Sequence, residues 1–256
     1  QVKLAQYCGI VSLGERTLEV LPKTQDRDAS VEECRGVLLR LLRLSERFPH
    51  FAHVPTGQHL RRGPILEAFI AAFYQAVSLV IRGGLLRQYL EHEEDLRVVR
   101  GRIATTCQLG AHANRRDAVA CVFDELSADN VWNRTLKKAI RITRPWLRSA
   151  ELRRRWLELM GVLDEVDDAR LAPAEVESLI FDRRAERYRE AIDWARWILA
   201  LLAPALRGGH NQAPGLLFDM NRLFESSVPT VVRRAASRHL LEVLTQDRTR
   251  ALARMH

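Results

Sequence analysis

Lysine is scarce in this sequence, although the chain is basic overall. The formal net charge is +8, and only four of the 40 basic residues are lysines: Lys3, Lys23, Lys137 and Lys138. A net positive charge predicts attraction to polyanions, and the planar fork of arginine suits bidentate contacts with phosphate. A GC-rich coding bias also produces an arginine excess and accounts for more of it. Basicity therefore supports nucleic-acid binding only modestly.

Cysteines are few and far apart. Cys8, Cys34, Cys107 and Cys121 contain no CxxC pair. This spacing argues against a zinc ribbon and against a disulfide framework. It predicts a reducing, cytoplasmic setting.

Long apolar runs are also lacking. The longest apolar stretch, residues 192–206, is interrupted by Asp193, Arg196 and Pro204. A membrane-spanning helix needs roughly 18 or more nearly uncharged residues. No charged, then apolar, then small-residue signal pattern is present near Gln1. We therefore expect a globular protein with no membrane partner.

Three common catalytic motifs are missing. There is no G-x-x-x-x-G-K-[ST] sequence, so this chain has no phosphate-binding loop of that type. No G-x-S-x-G nucleophile elbow occurs. His50, His53 and His59 fall in a proline-rich stretch without acidic or cysteine partners at ligand spacing, which favours polar loop histidines over a metal site.

The apolar periodicity predicts an α+β fold that is predominantly helical. Residues 7–11 and 17–21 are β-prone runs around a turn at Gly14, and Ser30 with Glu33 forms a capping box for the first helix. A short strand is predicted at residues 118–123. Helices are predicted at 31–47, 65–82, 85–96, 129–147, 150–161, 173–177, 183–202 and 216–232, with the pattern extending through 239–244.

Two glycine-rich segments predict domain boundaries. Gly83 and Gly84 end the second helix, and residues 207–215 contain three glycines and a proline. We expect an N-terminal domain at 1–84 with the β-hairpin and helices. A middle domain at 85–206 follows, and residues 207–256 form a linker and a further helical segment.

Charged and amide side chains are densest in FDELSADNVWNRTLKKAI, residues 123–140. Asp124, Asp129, Asn130 and Asn133 lie where a strand leads into a helix. Asp129 or Ser127 can cap that helix, and an acid is favoured at its positive end. Capping alone does not require two asparagines, which could instead be buried hydrogen-bond hubs.

Four motifs in this order resemble the McrC family, the nuclease subunit of McrBC-type, GTP-dependent, 5-methylcytosine-specific restriction systems. They are the Leu-Pro-Lys ending the hairpin at 21–23, RGRI at 100–103, DELSADNVWNR at 124–134 and DMNRLFE at 219–225. The resemblance implies that the subunit docks in the channel of an McrB-like AAA+ GTPase hexamer and stimulates hydrolysis. GTP would bind the partner, and Mg²⁺ would serve a nuclease core acting on DNA.

The same resemblance suggests roles for individual residues. Arg100 and Arg102 would contact phosphate or a partner, although a solvated turn between strands fits them too. Trp132 fits a core anchor better than a base-stacking residue. Partner or DNA contacts are further assigned to Asn133, Arg134, Lys137 and Lys138, and a structural motif to Asp124, Asp129, Asn130 and Trp132.

The nuclease core itself is not complete in this sequence. A PD-(D/E)xK site needs an acid two residues before a lysine, but Gln1, Leu21, Thr135 and Leu136 occupy those positions. The resemblance implies that residues 207–256 are a linker and the start of a truncated nuclease-like domain, in which the helix with Glu225 would match the first helix of that fold. Glu225 is then an accessory group at best, and an ordinary exposed helix glutamate is the alternative.

We therefore expect either a fragment of an McrC-like subunit or a family member without its nuclease. The missing initiator methionine favours the fragment. The expected role is to dock on and stimulate the GTPase ring and to link it to a DNA-cleaving domain. The alternative is a self-contained helical nucleic-acid-binding module without catalytic activity.

Overall fold

The computed structural model describes residues 6–13, 16–23, 29–45, 51, 63–105, 118–168, 171–202 and 215–236. The fold in these ranges is α+β, with helices around two small antiparallel sheets. The strands are β1 (Tyr7–Leu13), β2 (Arg16–Val20), β3 (Gln88–Leu96), β4 (Arg102–Ile103), β5 (Val119–Ser127) and β6 (Gly215–Asp219). The helices are α1 (Val31–Leu44), α2 (Ile65–Arg82), α3 (Val131–Thr143), α4 (Ala150–Val162), α5 (Pro173–Glu177), α6 (Arg189–Leu202) and α7 (Met220–Ala236), with single 3₁₀ turns at Arg144–Trp146 and Glu186–Tyr188.

The first sheet joins the two ends of the described chain. Its strand order is β2-β1-β6, so β1 is the central strand. Tyr7 lies opposite Asp219, and Val11 lies opposite Gly215. Gly9 has a φ of 141°, and a Cβ there would lie 1.9 Å from the carbonyl oxygen of Leu216. A glycine is therefore required for the close approach of β6 to β1.

The core is built around α2, whose buried face is apolar except for Glu67 and the hydroxyl of Tyr74. This helix packs against α4 and α6, and α3 packs against α6. Phe51 stands edge-on to Phe69, Trp194 and Phe218, with ring centroids 4.9–5.4 Å apart. Edge-to-face rings of this kind add packing energy to the area that they bury.

Among the described residues, α2 is the one helix long and apolar enough to cross a membrane by length and composition alone. It has 18 residues with a mean hydropathy of 1.6, and 67% of it is buried inside the structure. This helix differs from residues 192–206, which the sequence predicts as the longest apolar stretch. Burial of this extent is typical of a core helix.

The second sheet, which we call the ribbon, consists of β3, β4 and β5 in the order β3-β5-β4. The strands β3 and β5 pair along their whole length, from Gln88 opposite Ser127 to Leu96 opposite Val119. These strands contact mainly each other rather than the helices. Tyr89 is 73% exposed. The ribbon therefore stands out from the helical body.

Two predicted helices are wrong. Residues 88–96 of the predicted helix 85–96 form β3, because nine residues of β5 pair with them and strand pairing overrides local propensity. The predicted helix 216–232 begins only at Met220, because residues 215–219 pair with β1 as β6.

Other predicted elements are confirmed. The hairpin, the capping box of Ser30 and Glu33, and the helices beginning at Val31, Ile65 and Ala150 are present as expected. His50, His53, His59, Cys107 and residues 207–214 and 239–244 lie outside the described ranges. The domain boundaries and the likeness of α7 to a nuclease helix remain predictions.

Candidate functional site

The DELSADNVWNR motif begins at the end of β5 and runs into α3. Asn130 has extended backbone angles, and its Oδ1 accepts a hydrogen bond from the backbone N–H of Asn133 at 3.1 Å. Asn130 is thus the N-cap of α3. The prediction that Asp129 or Ser127 caps the helix is wrong; Ser127 Oγ instead accepts from the N–H of Asp129 at 3.0 Å.

The two asparagines converge on one backbone carbonyl. Nδ2 of Asn130 donates to the oxygen of Leu86 at 2.7 Å, and Nδ2 of Asn133 donates to the same oxygen at 2.9 Å. The other proton of Asn133 Nδ2 goes to the oxygen of Ala128 at 2.7 Å. Asn133 is fully buried, so its satisfied amide confirms the hydrogen-bond hub.

Tyr188 completes this arrangement from the turn before α6. Its hydroxyl donates to Oδ1 of Asn133 at 2.9 Å and accepts from the backbone N–H of Leu86 at 2.6 Å. Burial raises the pKa of Tyr188, so the hydroxyl keeps the proton that it donates. We call Asn130, Asn133, Tyr188 and the backbone of Leu86 the amide hub.

Asp129 and Arg134 form a second contact beside the amide hub. Nε and Nη2 of Arg134 donate to the two carboxylate oxygens of Asp129 at 2.6 and 2.5 Å. The backbone N–H of Asp167 also donates to Asp129, at 3.0 Å. These hydrogen bonds, first that from Arg134, hold the pKa of Asp129 below its usual range despite partial burial. The pair ties the start of α3 to the loop after α4.

The side chain of Lys137 also contacts this loop and is largely shielded from solvent. Its side chain is nearly buried, and Nζ donates to the backbone oxygen of Val166. Arg141 pairs with Asp168 in the same loop. Asn133 is fully buried and Lys137 is 6% exposed, and their assignment as partner or DNA contacts stays a prediction. Lys138 is half-buried on the outer side of α3.

The amide hub fixes the root of the ribbon. Leu86 lies two residues before β3, and the motif itself follows directly from β5. Arg87 adds two hydrogen bonds to the carboxylate of Glu165, at 2.8 and 2.9 Å. Both long strands are therefore held where they leave the helical body.

The RGRI turn lies on the ribbon itself. Gly101 has a φ of 71°, and a Cβ there would lie 2.3 Å from the carbonyl oxygen of Val122. The guanidinium of Arg100 sits 4.1 Å above the ring of Phe123, and Arg102 pairs with Glu91 at 3.0 Å. Arg102 stays 72% exposed in that pair. The turn is docked on β5, and both arginines remain at the surface.

The other predicted site residues lie apart. Asp124 is exposed on β5, directly opposite Glu91, which is an unfavourable like-charge pair, and it is not in the amide hub. Trp132 is half-buried against the core, as its prediction as an anchor requires. Glu225 is exposed on α7.

The described residues do not fit a magnesium site. No three His, Cys, Asp or Glu side chains among them are placed to hold a metal ion. Glu225 is therefore not part of a metal-binding group among the described residues.

Sequence reasoning missed Leu86, Tyr188, Arg87 and Glu165. Their contacts span 39 to 102 positions along the chain, and nothing in the local sequence marks them. Only the surplus of amides in the motif signalled that a distant partner was needed.

Comparison with protein families identifies the chain. A family described as McrBC 5-methylcytosine restriction system component matches residues 2–256. The chain belongs to this family. No curated protein sequence matches it.

Two solved structures share the McrBC fold of the chain. One is the cryo-EM structure of the Thermococcus gammatolerans McrBC complex, with a TM-score of 0.62 and 21% identity over 93% of this chain and 68% of the other. The second is a half-complex from a tetradecameric assembly of Thermococcus gammatolerans McrB AAA+ hexamers with bound McrC. Its TM-score is 0.63, with 22% identity over 90% of this chain and 53% of the other.

Proposed function

We propose that this chain is an McrC-like subunit that docks on an McrB-like AAA+ GTPase hexamer and stimulates its GTP hydrolysis. GTP binds the partner, and the subunit links the ring to a domain that cleaves DNA in the cytoplasm. Membership of the McrBC family supports a role in a restriction system of this kind. The second similar structure contains AAA+ hexamers with bound McrC. At 22% identity that likeness supports the fold, and the docking role is our inference.

The ribbon with its anchored root is the observation that carries this proposal. A docking element needs an exposed surface and a defined direction. The strands β3 and β4 are exposed over most of their length, and β5 is exposed at residues 124–126 but buries Ala120, Cys121 and Phe123. The amide hub fixes the segment before β3 and the helix after β5. Contacts with a large ring can then be transmitted to the helical body without reorienting the ribbon.

Arg100 and Arg102 are the partner contacts that we assign to the ribbon. Arg102 can exchange its exposed pair with Glu91 for a partner carboxylate or phosphate at little cost, since exposed ion pairs contribute at most about 1 kcal/mol. Gly101 fixes the spacing of the two side chains by its contact with β5. Contact with phosphate and contact with protein are both compatible with arginine chemistry.

The test is GTP turnover by the cognate GTPase with and without the full chain. We expect stimulation and co-elution with wild type, and at least about tenfold weaker stimulation with R100Q/R102Q, which is the effect of about 1.4 kcal/mol. R97Q is the matched control, because Arg97 is exposed on the same ribbon outside the turn. Absence of both stimulation and co-elution with wild type would contradict the proposal.

A further inference from the structure

A basic surface lies at the far end of the helical hairpin formed by α3 and α4. Arg144 and Arg148 belong to the connection between the two helices, and Arg153 and Arg154 lie in the first two turns of α4. All four side chains are exposed. We call these four residues the hairpin-end arginines. The positive end of the α4 dipole points at the same place.

These arginines differ from the other cations of the hairpin. Arg134, Lys137 and Arg141 bind Asp129 or the loop at 166–168. By contrast, within the described ranges Arg144, Arg148 and Arg153 form no ion pair, and Arg154 has only a long contact of 3.9 Å with Glu158, in which both side chains are mostly exposed. Glu151 in the first turn of α4 is also exposed, so the hairpin end keeps an excess of positive charge rather than charge of one sign only.

The hairpin end is also held in a fixed shape. The buried carboxylate of Glu67 on α2 accepts the backbone N–H of Arg148 at 2.5 Å and that of Ser149 at 2.8 Å. The guanidinium of Arg144 lies over the ring of Trp156, 5.2 Å from its centre. Trp156 in turn donates to the backbone oxygen of Ile140 at 2.9 Å. The positions of Arg144 and Arg148 relative to α4 are thus fixed before any ligand binds.

We propose that the hairpin-end arginines bind the phosphate backbone of duplex DNA. The surface carries several separate guanidinium groups, which suits a repeating polyanion better than one small phosphate ligand. Backbone contacts of this kind position a duplex without reading its sequence. DNA is the polyanion on which a 5-methylcytosine restriction system acts. The surface is separate from the ribbon, so it is independent of the proposed docking.

The experiment measures binding of a fluorescein-labelled, unmethylated duplex to the full chain by fluorescence polarisation at several salt concentrations, without GTPase. R148Q/R153Q/R154Q should weaken binding by about tenfold or more and lower the slope of log affinity against log salt by about 2 to 3. R148K/R153K/R154K keeps the charges and should retain most of the binding. A methylated duplex should bind equally well, because phosphate contacts carry no base information.

The matched control is R16Q/R40Q/R222Q, which removes three exposed arginines from β2, α1 and α7. It should change affinity by less than about twofold, because those residues lie on elements outside the hairpin end. Equal losses in both triple variants would show a general charge effect and overturn the proposal. So would unchanged binding by the hairpin-end variant, displacement of the duplex by polyglutamate at equal charge, or no salt-dependent binding by wild type.

Discussion

At the scale of single residues, the side chain of Asn133 joins three separate segments of the chain. Its Nδ2 joins the segment before β3 to the end of β5, and its Oδ1 receives the hydroxyl of Tyr188 from the far side of the core. An aspartate would keep the shape but replace the two donors with a charged oxygen. A leucine would remove the hydrogen bonds to the oxygen of Ala128 and from the hydroxyl of Tyr188, while the oxygen of Leu86 would keep its bond from Asn130.

We therefore expect N133L to lower the free energy of unfolding by about 3 kcal/mol, because each unsatisfied buried group costs about 1–3 kcal/mol. Y188F should cost about 2 kcal/mol, because Oδ1 of Asn133 and the backbone N–H of Leu86 both lose the hydroxyl as a partner. The double variant should cost less than the sum, since both changes remove the same hydrogen bond. Urea denaturation followed by circular dichroism measures these values.

Asp124 supplies the control for that series. It lies in the same motif but is exposed on the ribbon, away from the amide hub. D124N should change the free energy of unfolding by less than about 0.5 kcal/mol. A cost for N133L no larger than that for D124N would contradict the structural role of the amide hub.

At the scale of elements, structural features that depend on contacts between neighbouring residues could be predicted from the sequence. Features that depend on contacts between distant residues could not. The capping box of α1 and the glycine stop of α2 depend on contacts within a few positions, and both were predicted. The sequence of β3 is rich in glutamate, which favours helix, but its pairing with β5 comes from residues 23 to 39 positions away. Asn130 was missed as N-cap because Asp129 beside it is an equally good capping residue.

The pairing of β6 with β1 gives a prediction at this scale. G9A should lower the free energy of unfolding by more than about 1 kcal/mol, because alanine is strained at positive φ and its Cβ would meet Leu216 at 1.9 Å. The rate of amide hydrogen exchange should increase more in β6 and α7 than in α2. Thermal denaturation and exchange mass spectrometry measure the two effects.

G161A is the matched control for G9A. Gly161 lies in the last turn of α4, and a Cβ there would meet nothing within 4 Å. The same substitution should stabilise the protein by up to about 1 kcal/mol, because alanine is the better helix former. Similar destabilisation by both variants would show that the close approach at Gly9 does not decide the effect.

At the scale of the whole molecule, the structure separates a helical body, a ribbon and a sheet that joins the described chain ends. The DELSADNVWNR motif lies where the ribbon meets the body, and its contacts reach the segment after α2, the loop after α4 and the turn before α6. Loss of these contacts should therefore loosen the body as a whole rather than one helix.

Acid stability tests this consequence through Asp129. The pKa of its carboxyl group is lower in the folded protein than in the unfolded chain, where aspartate titrates near about 3.9. The stabilisation is therefore complete above that unfolded value and is lost as the pH falls through the lower folded pKa. D129N should reduce the loss of unfolding free energy across this acidic range, measured by urea denaturation at several pH values. E225Q removes an exposed carboxylate and should leave the pH profile unchanged; equal profiles for wild type and D129N would contradict the role of the Asp129–Arg134 pair.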